Sequence, residues 1–208
     1  MSVQILKCML LDAFGLALCC AVWAQGSTTA YPQSCPFRSS DVPALSPDSI
    51  GSLRVVEQLG TLRASCAAAR DTAVRLEINA PKTYPGLVFQ FDSLQVIALQ
   101  YGKPTLDLDR PADAWMIFGT GATIQHKVPL SAPWSSLWAA LGYPQVNARG
   151  TITVRFCSFP NAIITLNADP RAVATQRGHV VLETIPPNAT IHHLLIMNPS
   201  LASHFLGC

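Results

Sequence analysis

The sequence predicts an α+β fold built from tandem duplicated helix-plus-antiparallel-hairpin units, forming one antiparallel sheet with helices packed on one face. Three observations predict it. Gly121 to Ile164 reads as a second copy of Gly51 to Ala98, with Leu62 falling on Leu137, Cys66 on Leu141, Phe91 on Phe156 and Ser93 on Ser158. Apolar residues recur at helical spacing at the start of each copy. Alternating apolar residues then follow in pairs of segments, as half-buried strands require.

Taken in order, residues 1–24 read as an export signal. Lys7 supplies the positive start, Met9 to Trp23 the apolar stretch, and Val22-Trp23-Ala24 the small residues around a cleavage site. Asp12 interrupts the stretch, which is too short to span a bilayer comfortably. A lipid-modified Cys19 or Cys20 is the rival ending. Residues 25–48, with Pro32, Pro36, Pro43 and Pro47, read as an extended Ser/Thr/Pro-rich leader.

The first unit is placed at 49–120. Val55, Leu59, Leu62 and Cys66 form a helical stripe that Gly60 weakens, with Thr61 as an N-cap and the helix running to about Arg70. Val74, Leu76 and Ile78 predict a strand over 73–79. Leu87, Phe89 and Phe91 line the next strand, and Val96 to Leu99 its partner. Asp107, Asp109 and Asp113 sit in a polar connector. Trp115 to Phe118 is a short buried strand closed by Gly119-Thr120-Gly121.

The second unit is placed at 121–208. A strand is expected over Ala122 to Val128. Leu130, Trp134, Leu137, Trp138 and Leu141 predict a helix capped by Ser131, with Pro133 in its first turn and Gly142 at its end. Thr151 to Cys157 alternates strictly, and Ile163 to Leu166 forms the partner strand. Residues 167–179 read as a loop, and Thr190 to Met197 as a final strand before a tail ending at Cys208.

The helix-then-hairpin unit resembles a known family. A helix ending in Leu62-x-x-x-Cys66, or in Leu137-x-x-x-Leu141-Gly142, followed by Gly and alternating strands, is similar to the repeat of SmpA/OmlA-type outer-membrane assembly lipoproteins. The secreted β-lactamase inhibitory proteins carry the same unit in tandem. The resemblance covers about Gly51 to Leu166. Members begin each unit with a Val-Gly-Met-Thr-like turn. Val56-Glu57-Gln58-Leu59 and Val128-Pro129-Leu130-Ser131 stand there instead, and only Ser131 keeps the capping hydroxyl. The resemblance implies binding, assembly or scaffolding and carries over no functional residue.

Composition narrows the function classes. Half of the 208 residues are apolar and 12% are charged, which suits a folded chain with a sizeable core. A net charge of +2 without a basic run argues against a nucleic-acid partner. Removing 1–24 leaves four cysteines, Cys35, Cys66, Cys157 and Cys208. An even number in an exported chain predicts two disulfides, with three connectivities open. No two of them have the close spacing of a zinc ligand pair.

Catalytic motifs such as G-x-S-x-G, S-x-x-K and H-E-x-x-H are absent, so no catalytic residue is assigned. No metal site or cofactor is expected either. His192 and His193, adjacent on a strand, should point to opposite faces. The three connector aspartates lack the ligand count of a calcium loop. The Asn188-Ala189-Thr190 sequon has meaning only in a eukaryotic host. Trp115, Trp134, Trp138 and Tyr143 group around the second helix and are the candidate binding residues, since such aromatics anchor interfaces.

The reading is an exported protein, periplasmic or secreted, disulfide-stabilised and non-enzymatic. It presents a sheet face to a protein or ligand partner in the cell envelope or outside the cell, with no transmembrane helix in the mature chain. A secreted hydrolase of unrecognised family and a purely structural envelope component are the alternatives.

Overall fold

The computed structural model describes residues 35, 42–66, 69–75, 82–91 and 93–205. The segment 1–24, most of the leader, the expected strand positions Leu76 and Ile78, and Cys208 lie outside them.

In chain order, the first elements are β1 (Ala44–Leu45), β2 (Ser49–Ile50), β3 (Leu53–Arg54) and α1 (Leu59–Ser65). They lead into β4 (Arg70–Val74), β5 (Tyr84–Gln90), β6 (Leu94–Leu99) and β7 (Ala114–Gly119). Then come β8 (Thr123–Ile124), β9 (Val128–Pro129), α2 (Trp134–Leu141), β10 (Pro144–Asn147), β11 (Ile152–Phe156) and β12 (Phe159–Asn167). A small hairpin of β13 (Thr175–Gln176) and β14 (His179–Val180) precedes β15 (Thr190–Met197) and α3 (Pro199–Phe205).

One sheet dominates. Its order is β10-β11-β12-β15-β7-β6-β5-β4, and every neighbouring pair is antiparallel. Moving inward from either edge, the strands follow chain order: β4 to β7 from one side, and β10, β11, β12, β15 from the other. A second sheet of two-residue strands has the order β3-β2-β1-β8-β9.

The expected α+β class with a helix layer is corrected. Among the described residues, the fold is mostly strand, and its three α-helices have seven, eight and seven residues. The layer against the large sheet is not a row of packed helices. It combines α1 and α2 with the small sheet: Leu45, Ile50, Leu53, Leu59, Leu62, Val128, Leu130 and Leu137 all join one core with the sheet's inner face. The expected first helix is overextended in the sequence reading. Val55 lies in the turn before it, and the chain leaves the helix at Cys66, which is tied to Cys35. The expected strand over Ala122 to Val128 is split into β8 and β9 by Gln125 and His126, whose φ values of 50° and 57° lie in the left-handed region.

The cap assignments also change. Neither Thr61 nor Ser131 caps a helix. The N-cap positions are Gln58 and Pro133, and neither makes a side-chain cap bond. The first amides are satisfied by distant carbonyls instead. Leu59 and Gly60 donate to Arg110 and Leu108, at 3.1 and 2.8 Å. Trp134 and Ser135 donate to Ala189 and Pro187, at 2.7 and 3.3 Å. Each helix start is thereby fastened to the loop that leads into a central strand, β7 or β15. Gly142, with φ 89°, ends α2 as expected from its freedom at positive φ.

Strand periodicity places the core. In β11, Ile152, Val154 and Phe156 are buried, with partly exposed Thr153 and Arg155 between them. The central strand β7 is apolar on both faces. Trp115 and Ile117 point into the main core, where the Trp115 indole Nε1 donates to the Val55 carbonyl at 3.1 Å. Met116 joins Ile97 and Leu99 in a smaller cluster on the outer face.

Candidate functional site

The inner face of the large sheet is consumed by the core, so chemistry available to a ligand must come from the outer face. Parity alone assigns the residues. Phe89 of β5, Leu94 and Val96 of β6, Ile117 of β7 and Leu194 of β15 are core residues. Their sequence neighbours Gln90, Gln95, Phe118 and His193 therefore point outward. Register then aligns them into a row: Gln90 lies opposite Gln95, Gln95 opposite Phe118, and His193 opposite Thr165 of β12. The ring of Phe118 closes the row against His193, with centroids 5.4 Å apart. Gln95 Nε2 donates to Gln90 Oε1 at 2.8 Å, which orients both amides.

A β-bulge brings a further histidine to this row. Thr165 pairs with His193 but Leu166 pairs with Ile191, so His192 and His193 together oppose one residue of β12. The expected opposition of the two side chains is therefore corrected. Their rings lie 5.2 Å apart, and His192 also meets the edge of Phe118 at 6.2 Å. His193 Nε2 shares a 3.1 Å hydrogen bond with Thr165 Oγ1, while Nδ1 is buried and has no partner among the described residues. Burial, reinforced by the neighbouring His192, pushes the His193 imidazole down to about 4, so the ring is neutral at pH 7.

At one end the row opens into a shallow groove of about 330 Å³, lined by Gln90, Ser93, Leu94, Gln95, Phe118, Gly119 and Thr120. The Ser93 carbonyl accepts from the Thr120 and Gly121 amides at 3.0 and 3.1 Å, which pins the β7 turn beneath the β5–β6 turn. Gly119 makes this approach feasible. Its φ is 103°, and a Cβ there would lie 2.2 Å from the Ser93 oxygen.

The four aromatic residues picked out by sequence are not brought to one surface. Trp115 is fully buried and stacks near Phe89 at 6.4 Å. Trp134 is buried beside Phe156, stacks on Trp138 at 6.0 Å, and Trp138 meets Tyr143 edge-on at 6.3 Å. Of this ladder only half-buried Trp138 and Tyr143, 79% exposed, reach solvent. Cys35 and Cys66 form a disulfide. Cys157 is also disulfide-bonded, and Cys208 is outside the described residues.

Two of the connector aspartates, Asp113 and Asp107, serve structure. Asp113 is buried and accepts from the Tyr101 amide at 2.6 Å and from Arg110 at 3.3 Å. Asp107 is held below the usual carboxylate range, chiefly by its 2.6 Å hydrogen bond from Lys103. Among the described residues, no group of three or more His, Cys, Asp or Glu side chains is placed to hold a metal ion. None of their helices is long and apolar enough to cross a membrane.

Sequence reasoning missed the outer row. The alternation of Gln90 and Gln95 with apolar neighbours was a usable signal for an outward face. The bulge at His192 left no local signal. No family model, curated protein or solved structure matches the chain.

Proposed function

We propose that this is an exported, disulfide-stabilised, non-enzymatic binding protein of the periplasm or extracellular space, and that it takes its ligand or protein partner on the outer face of the large sheet. The observation that carries the reading is the row Gln90–Gln95–Phe118–His193. It sets oriented polar groups around one partly exposed aromatic ring, a composition typical of recognition sites. The disulfides support a life outside the reducing cytoplasm.

Hydrogen exchange read by mass spectrometry tests this. The oxidised full chain is compared with and without cell-envelope extract and with and without conditioned medium. Slowed exchange should concentrate in peptides covering 84–99, 114–120 and 190–197. Protection confined to 134–143 would move the binding surface to the Trp138–Tyr143 ladder. No protection by either extract would remove the binding reading.

A further inference from the structure

We propose that the outer-face row binds a neutral, polyhydroxylated ligand: an oligosaccharide chain lying across the strands. The inference rests on the reading of that face as the binding face and names what the face takes.

The first argument is hydrogen-bond chemistry. A hydroxyl both donates and accepts, so a surface that recognises many hydroxyls needs groups with both capacities. Gln90, exposed, and Gln95, partly exposed, each offer a carbonyl oxygen and an NH₂, so both capacities are present at the surface of the row. The amides are already locked relative to one another by their 2.8 Å bond, which lowers the ordering cost on binding.

Charge is the second argument. The row consists of Gln90, Gln95, Phe118, His192 and His193, none of them Lys, Arg, Asp or Glu. A phosphate, sulfate or carboxylate ligand would want a cationic fork or an amide nest, and the row supplies neither.

Backbone access is the third. A peptide bound by strand addition needs an unpaired sheet edge. Here every strand carrying the row has neighbours on both sides: β5 between β4 and β6, β6 between β5 and β7, β7 between β6 and β15, and β15 between β7 and β12. Side chains must therefore do the recognition. Phe118 supplies an apolar surface against which the C–H face of a sugar ring can rest, and the open groove beside it leaves the chain ends free.

Length agrees. Strands lie about 4.8 Å apart, so the span from Gln90 on β5 to His193 on β15 is about 14 Å, room for roughly two to three linked rings.

Calorimetric titration of the oxidised full chain tests the proposal. The probes are neutral tetrasaccharides of cellulose, chitin and starch type, a sulfated oligosaccharide, and an uncharged tetrapeptide. At least one neutral tetrasaccharide should bind saturably. Gln95→Ala and Phe118→Leu should each weaken it by roughly tenfold or more, and Tyr143→Ala should leave it unchanged. Gln90→Ala is the reserve variant, since that exposed side chain is dispensable for folding. Binding of the peptide or the sulfated chain alone, or of no probe, overturns the ligand class. If exchange protection of the outer face by extract persists in that case, the binding face stands without the sugar. Saccharide affinity untouched by the row variants but lost with Tyr143→Ala overturns both readings.

Discussion

Lowering the pH should destabilise this protein through His193 before its carboxylates are fully protonated. The folded imidazole is pushed down to about 4 from an ordinary 6.5, because its ring is buried and faces His192. Above pH 6.5 the ring is neutral in both folded and unfolded chains. Between 6.5 and about 4 the unfolded chain takes up a proton that the folded one refuses, so unfolding free energy falls as pH falls. Below about 4 both are protonated and this contribution stops changing. At about 1.4 kcal/mol per pH unit, the interval sets an upper bound of about 3.4 kcal/mol. The ring retains a partly exposed edge that screens the charge, so about 2 kcal/mol is the working figure. Urea unfolding of the wild type and of His193→Gln at half-unit steps from pH 7.5 to pH 4 isolates it, because the glutamine keeps a hydrogen-bonding group near Thr165 and does not titrate. The wild type should lose about 2 kcal/mol more than the variant over that range. Two curves that stay parallel would refute the account of a buried, unprotonated imidazole.

Two further outcomes follow from the same structure. Breaking the Cys35–Cys66 bridge by Cys35→Ser with Cys66→Ser should cost about 3.7 kcal/mol by loop-closure entropy for a separation of 31 residues, read from urea unfolding as a lower midpoint with a slope that is not reduced. Gly119→Ala should cost at least about 2 kcal/mol, since its new Cβ meets the Ser93 carbonyl at a backbone angle that side chains avoid. A thermal midpoint within a degree of wild type would contradict the approach described at that turn.

How much of this was legible depends on how local each cause is. The alternation through Ile152, Val154 and Phe156 marks β11 because a half-buried strand writes its burial into every second residue. The end of α2 is equally local, since Gly142 alone supplies the positive φ. The helix starts were misplaced for the opposite reason. Thr61 and Ser131 carry the capping chemistry, yet the amides of Leu59 and Trp134 are satisfied by Arg110 and Ala189, far away in the chain. Strand β10 went unseen because four residues beginning with a proline carry almost no periodic signal, although a proline is tolerated at the first position of an edge strand. The class was misread because the strands outweigh two short helices that look longer in sequence than their tertiary caps allow.

The candidate site divides along the same line. Outward parity of Gln90 and Gln95 follows from the buried Phe89, Leu94 and Val96 around them. His193 follows from the buried Leu194 beside it, but His192 does not follow from parity, since an unbroken strand would send it to the face opposite His193. Only the register between β12 and β15 inserts the extra residue and turns both rings toward Phe118. Among the described residues no group partners the buried His193 Nδ1, and a polar atom so placed costs stability. A sheet under selection for stability alone would lose little by replacing His193 with an aliphatic residue that continued the adjacent apolar cluster of Ile97, Met116 and Leu195. Retaining a bulge and an unsatisfied imidazole in the middle of the most extensively paired sheet is the kind of local inconsistency that marks recognition sites, and it is why the outer row, more than the aromatic ladder beside α2, is where binding should first be sought.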